Sequence, residues 1–193
     1  MSNFDKDQRT QSDNIWITAH TRMQAEKRYK RYSLASHLLL SYYAFLMILL
    51  SVFSDFIKTS IPLSQINIAL AIAVFSASLI VYGFKFGETA QLHRECYLRL
   101  QKLLALVDSE PEMIAQYHEI IEGYPNHSAH DFDDLVIERT LIKNDILRNS
   151  NGPIQWTVLM LVRKSFHWLI YWLAIAFLTV FPVYILFFLG WQS

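Results

Sequence analysis

Three stretches without a charged residue constrain the fold of this 193-residue chain more than any other feature. No Asp, Glu, Lys or Arg stands between Arg31 and Asp55, and Leu34 to Phe53 supplies a continuous, mostly apolar run. A helix of about 20 residues, rising about 1.5 Å per residue, crosses a hydrocarbon core of about 30 Å. Ile66 to Phe84 makes a second such run, and Phe166 to Gly190 a third, with Trp168, Tyr171, Trp172 and Trp191 toward its ends, where amphipathic rings favour the headgroup level. The alternative, buried helices of a soluble bundle, would have to accommodate three such runs in a chain whose charged fraction is only 18%. The expected fold is an all-α membrane protein: transmembrane helices with a cytoplasmic helical stem and bundle.

Charge placement sets the expected orientation. Lys and Arg number seven before the first run, one in the loop before the second, nine from Lys85 to Lys164, and none after that. The positive-inside rule then places both polar regions in the cytoplasm and the C-terminus outside. The first 33 residues are too polar for a signal peptide, and the apolar run behind them is too long. With 17 basic and 17 acidic residues, bulk charge argues for no nucleic-acid partner, and direct sequence-specific binding is not expected. The single cysteine, Cys96, excludes a disulfide framework or a cysteine zinc cluster.

The expected organisation is a cytoplasmic N-terminal helix (1–33), a transmembrane hairpin (34–84), a cytoplasmic helical region (85–150), and an interfacial helix with a third span (151–193). A helix from about Ile15 carries Arg22, Lys27, Arg28, Lys30 and Arg31 toward the membrane, where they suit anionic headgroups or simply set topology. After the second span, Leu92, Cys96, Leu100, Leu103 and Val107 recur at helical spacing, which predicts an amphipathic stem continuing the membrane helix. Pro111 opens a short helix to Glu122, broken at Gly123-Tyr124-Pro125. Ser128 and Asp131 then form a capping-box pattern for a helix from about Ala129 to Arg148, stopped by Asn149 to Pro153. Ile154 to Lys164 reads as an interfacial approach to the third span.

Chemistry-bearing patterns are sparse. His127-x-x-His130 with His118, Asp131 and Asp133 contains metal-ligand residue types, although the same acids suit a helix N-terminus. The reading adopted is structural and regulatory, with no metal, cofactor or catalytic residue, and Tyr124, Asn126, His127, Ser128 and Asp131 as the motif. There is no phosphate-binding glycine loop and no nucleophile triad. Gly83-x-x-x-Gly87 is either a packing site or a flexible point. Ser33, His37 and Ser41 make a polar stripe on the first span, and Ala69, Ala73 and Ala77 a small-residue stripe on the second. These are features of helix association or of a pore-facing surface, although the polar stripe also fits bonding within the chain.

Arg22-x-x-Ala25-x-x-Arg28 before the first span, Ala90-x-x-His93-x-x-Cys96 after the second, and Asn126-His127-Ser128 with Asp131, preceded by a helix carrying Tyr117, resemble the SLATT family. SLATT proteins are two-transmembrane effectors of bacterial conflict systems, and the resemblance is to the variant encoded beside reverse transcriptases. It spans about residues 15 to 150. It implies a non-enzymatic effector of anti-phage defence in the bacterial inner membrane, held or triggered by a cytoplasmic partner. That partner would be a reverse transcriptase with its RNA–DNA product, or a nucleotide-signalling enzyme. Once released, the chain would form a homo-oligomer that perforates or depolarises the membrane and arrests growth. The competing expectation is a non-perforating anchor or adaptor that tethers a cytoplasmic complex.

The charge distribution generates a direct test. Alkaline phosphatase fused after Ser193 is expected to be active in cells and inactive after Asn149; the reverse pattern contradicts the three-span topology.

Overall fold

The structure, a computed structural model, describes residues 3–54, 62–106, 110–149 and 152–191. Its longest element, α1, runs without interruption from Asn3 to Val52. The helix starts well before the expected Ile15 because no Gly or Pro occurs before Pro62, so nothing in the polar leader breaks it. Then come α2 (Leu63–Phe84), α3 (Phe86–Leu106), α4 (Glu110–Glu122) and α5 (Ala129–Val136). A π-helical turn (Ile137–Ile142), a hairpin of β1 (Leu147–Asn149) and β2 (Gly152–Ile154), and α6 (Val158–Trp191) complete the order. Three helical segments are long and apolar enough to cross a membrane: Gln11–Val52, Leu63–Leu106 and Val158–Ile185. The chain is an all-α membrane protein that carries one small hairpin.

The chain divides into two compact units, Met1–Lys30 with Gly87–His167, and Arg31–Phe86 with Trp168–Ser193. In the first, Ile15 and Ala19 of α1, Cys96, Leu100 and Leu103 of α3 and Met113 of α4 form a buried cluster. Tyr97, Leu104, Tyr117, Ile120, Ile121 and Tyr124 pack around it. A second cluster joins Leu135, Val136 and Leu147 to Trp16, Ile17, Phe132, Ile154 and Met160. In the second unit, α2 buries none of its residues, and large apolar side chains such as Leu38, Phe45, Ile72 and Phe181 are exposed. Such a surface suits lipid, not water.

Several expected boundaries are corrected. The stem follows the membrane helix with a break at one residue, since Lys85 adopts a left-handed conformation (φ 50°) that divides Leu63–Leu106 into α2 and α3. A Cβ added at Gly83 would meet nothing within 4 Å, so this glycine serves no close packing within the chain. The buried face of α3 is Ala90, His93, Cys96, Leu100 and Leu103, while Leu92 is exposed; Val107 lies outside the described residues. The apolar pattern misplaced the upper part of the stripe because a histidine occupies one of its positions.

The helix expected to reach Arg148 ends at Ile142. There Asn144 takes a left-handed conformation (φ 53°) and the Asp145 amide donates to the Arg139 carbonyl at 2.8 Å, a helix-terminating bond. Of Asn149 to Pro153, read as the helix stop, the described residues Asn149, Gly152 and Pro153 instead belong to the strands of the hairpin, in which Leu147 faces Ile154 and Asn149 faces Gly152. The segment read as an interfacial approach, Ile154 to Lys164, joins the third apolar run without a break, since α6 is continuous from Val158.

Candidate functional site

The N-terminal half of α1, the buried face of α3 and the start of α5 meet in the first unit around an unusually polar core. Ser128 caps α5: Asp131 Oδ2 accepts from the Ser128 amide at 2.8 Å and from its hydroxyl at 2.9 Å. This is the capping-box geometry that the sequence pattern predicts. The other demand on Asp131 comes from α1. Arg28 donates from Nε to Oδ1 at 2.8 Å and from Nη2 to Oδ2 at 3.0 Å, a two-pronged pair on a carboxylate with no solvent exposure. Burial pushes the Asp131 carboxyl up, but Arg28 and Ser128 outweigh it and leave it below the usual carboxylate range.

Six residues before Arg28, Arg22 is also buried and donates from Nη1 to the Pro125 carbonyl at 2.7 Å, fixing the loop that enters α5. Its Nε has no hydrogen-bond partner. On α3, His93 is fully buried, stacks on Tyr29 with ring centroids 5.5 Å apart, and leaves both ring nitrogens without a partner. Burial, and after it the Arg22 charge, pull the His93 pKa down to about 4, so the ring is neutral at pH 7. The same two influences lower that of the half-buried His127, whose Nδ1 is likewise unpartnered. Ala25, Ala90 and Cys96 complete the buried set, and burial raises the Cys96 thiol. The three short motifs singled out in the sequence thus converge on one site.

Two further layers support it. Arg163 and Lys164, on the first turns of α6, face Asp133 and Asp134 at 3.2 Å each. His130 and His167 meet edge to face at 3.6 Å. Below, Glu138 of the π-helical turn accepts from Gln24 and Lys143, both at 2.6 Å, with Lys27 at 3.8 Å. Its pKa is lowered to about 2, chiefly by the bond from Lys143. Of the cations expected at lipid headgroups, Arg22 and Arg28 turn into the protein, on Pro125 and Asp131, whereas Lys27 and Lys30 are exposed and pair at the surface with Glu138 at 3.8 Å and Glu26 at 2.6 Å.

The remaining motif residues have different surroundings. Tyr124 packs beside the core with the Arg99 guanidinium 5.6 Å from its ring centre, and Asn126 is exposed. His118 is exposed on α4 against Tyr117. The possible ligands His118, His127, His130, Asp131 and Asp133 do not come together, and no group of three or more metal-binding side chains exists among the described residues. In the second unit, Ser33 is half-buried whereas His37 and Ser41 are exposed; Ala69 and Ala73 are exposed and Ala77 half-buried. Sequence reasoning passed over Arg163 and Lys164 as partners of the α5 acids. The matched pairs of adjacent charges, Asp133-Asp134 and Arg163-Lys164, were the available signal.

A family model described as the SMODS and SLOG-associating 2TM effector domain, family 5, matches residues 4–189. The match extends beyond the expected 15–150 and takes in most of α6. No curated protein matches, and no solved structure does.

The buried histidine implies a pH dependence. Its pKa falls on folding, from about 6.5 to about 4, so its contribution is complete above pH 6.5 and is lost as pH falls toward 4. Thermal unfolding of the full chain in detergent is expected to show His93 alone costing about 2 kcal/mol at pH 5 relative to pH 7. His93→Phe should flatten that slope, and an unchanged slope would contradict the burial of a neutral imidazole.

Proposed function

The chain belongs to the SLATT family of two-transmembrane effectors of conflict and defence systems, and we propose that it is a pore-forming effector governed by its buried polar site. In the resting state a cytoplasmic partner holds the first unit closed, with Arg28 on Asp131 and Arg22 on Pro125. The exposed Asn126 and the half-buried His127 beside this site are the surface the partner reads. The partner classes that fit such systems are a reverse transcriptase with its RNA–DNA product and a nucleotide-signalling enzyme. On release, copies of the chain associate in the bacterial inner membrane, with the N-terminus cytoplasmic, and dissipate its potential, arresting growth.

The observation that carries this reading is the outward polar stripe of α1. His37 and Ser41 are exposed among lipid-suited neighbours such as Leu34, Leu38 and Phe45, without a hydrogen-bond partner among the described residues. A polar side chain in hydrocarbon is stabilised when another helix or water covers it. Ala69 and Ala73 on the exposed side of α2 permit the close approach that such covering needs. A homo-oligomer with the stripe turned inward supplies both. This reading requires no catalytic step.

Expression without the partner is expected to collapse the signal of a potential-sensitive dye in living cells. The double replacement His37→Leu with Ser41→Leu should leave the protein inserted but slow the collapse several-fold. Growth arrest with an unchanged potential would favour the anchor or adaptor instead.

A further inference from the structure

The third membrane helix contains a proline that leaves a backbone acceptor open, and α1 fills it. Pro182 lies inside α6 and has no amide hydrogen, so the carbonyl four residues earlier, that of Leu178, lacks its helical donor. Tyr43 of α1 donates its hydroxyl to this carbonyl at 2.7 Å. The adjacent Tyr42 donates to the next carbonyl, Thr179, at 2.9 Å. The two rings meet edge to face with centroids 5.5 Å apart. Thr179 turns its own hydroxyl back to the Ile175 carbonyl at 2.8 Å, so it does not compete for Tyr42. Each partner needs the other in this setting. A carbonyl freed by proline and a phenol hydroxyl are both costly in hydrocarbon when unpaired, and the bilayer supplies no water to satisfy them.

We propose that Tyr42, Tyr43 and Pro182 form a latch that fastens α6 to α1 in mid-membrane and restrains α1 from assembling with other copies. The restraint rests on the pore reading given above; the latch itself does not. The bonds are strong only while this part of the unit is dry, because water competes for both hydroxyl and carbonyl. Water entering a nascent pore therefore weakens the latch, and release reinforces itself. This assigns α6, most of which the family match takes in, the role of an internal brake.

Four full-length chains test it: wild type, Tyr43→Phe, Pro182→Ala and the double variant. Replacing Pro182 by Ala restores the amide that bonds Leu178, so the hydroxyl of Tyr43 becomes redundant. Thermal unfolding in detergent should show Tyr43→Phe lowering Tm by about 2–4 °C in the proline background and leaving it unchanged in the alanine background. In vesicles loaded with a self-quenched dye, both single variants should release dye several-fold faster than wild type, and the double variant no faster than either. An equal Tm loss in both backgrounds overturns the latch. Coupled Tm values with unaltered release overturn the restraint and leave only a structural bond. No release from any chain removes the pore reading and the restraint together, and the Tm cycle still decides on the latch.

Discussion

Everything in the first unit depends on a carboxylate with no access to water. Asp131 is fully satisfied only if Ser128 caps α5 and Arg28 of α1 is in place, because the guanidinium bridges both carboxylate oxygens and the cap adds two bonds to Oδ2. Removing either partner would strand a buried charge, which typically costs about 3–5 kcal/mol. Replacing a buried pair as a whole by apolar side chains is often neutral, so the pair is better understood as fixing one arrangement than as adding stability. That property holds α1 and the start of α5 in one register.

Arg22 Nε and both nitrogens of His93 are buried without partners, an arrangement that folded proteins rarely tolerate. Their burial carries a desolvation cost that the packing of the first unit offsets. The membrane unit obeys the opposite rule. Hydrocarbon offers no relief, so Tyr43 satisfies the Leu178 carbonyl, and Asn67 donates to the Ser51 hydroxyl at 2.7 Å. His37 and Ser41 depart from that rule, as does the Oδ1 of Asn67, and the two exposed side chains direct attention to contacts between copies.

Much of this was legible in the sequence, for identifiable reasons. The three long apolar helices were, because a bilayer leaves few alternatives for long uncharged runs. So was the Ser128 and Asp131 cap, which is local. The partner of Asp131 was not, since Arg28 lies 103 residues away and its helix was read as a basic approach to lipid. The buried stripe of α3 was displaced because periodicity counts apolar residues, and His93 is not one. The hairpin was missed because Asn151-Gly152, a turn signal, was read as a helix stop, while the left-handed Asn144 ends the helix earlier. In the second unit, the small-residue stripe was only partly outward, since Ala77 turns inward while Ala69 and Ala73 do not.

The central claim is that the buried polar site holds closed a chain able to conduct when released. Electrical recording across a planar bilayer tests it most directly, comparing the purified chain with Arg28→Gln. The account predicts discrete conductance steps whose frequency rises more steeply than linearly with the amount of protein, appearing at lower amounts for the variant. A silent bilayer containing demonstrably inserted protein of both kinds would contradict it.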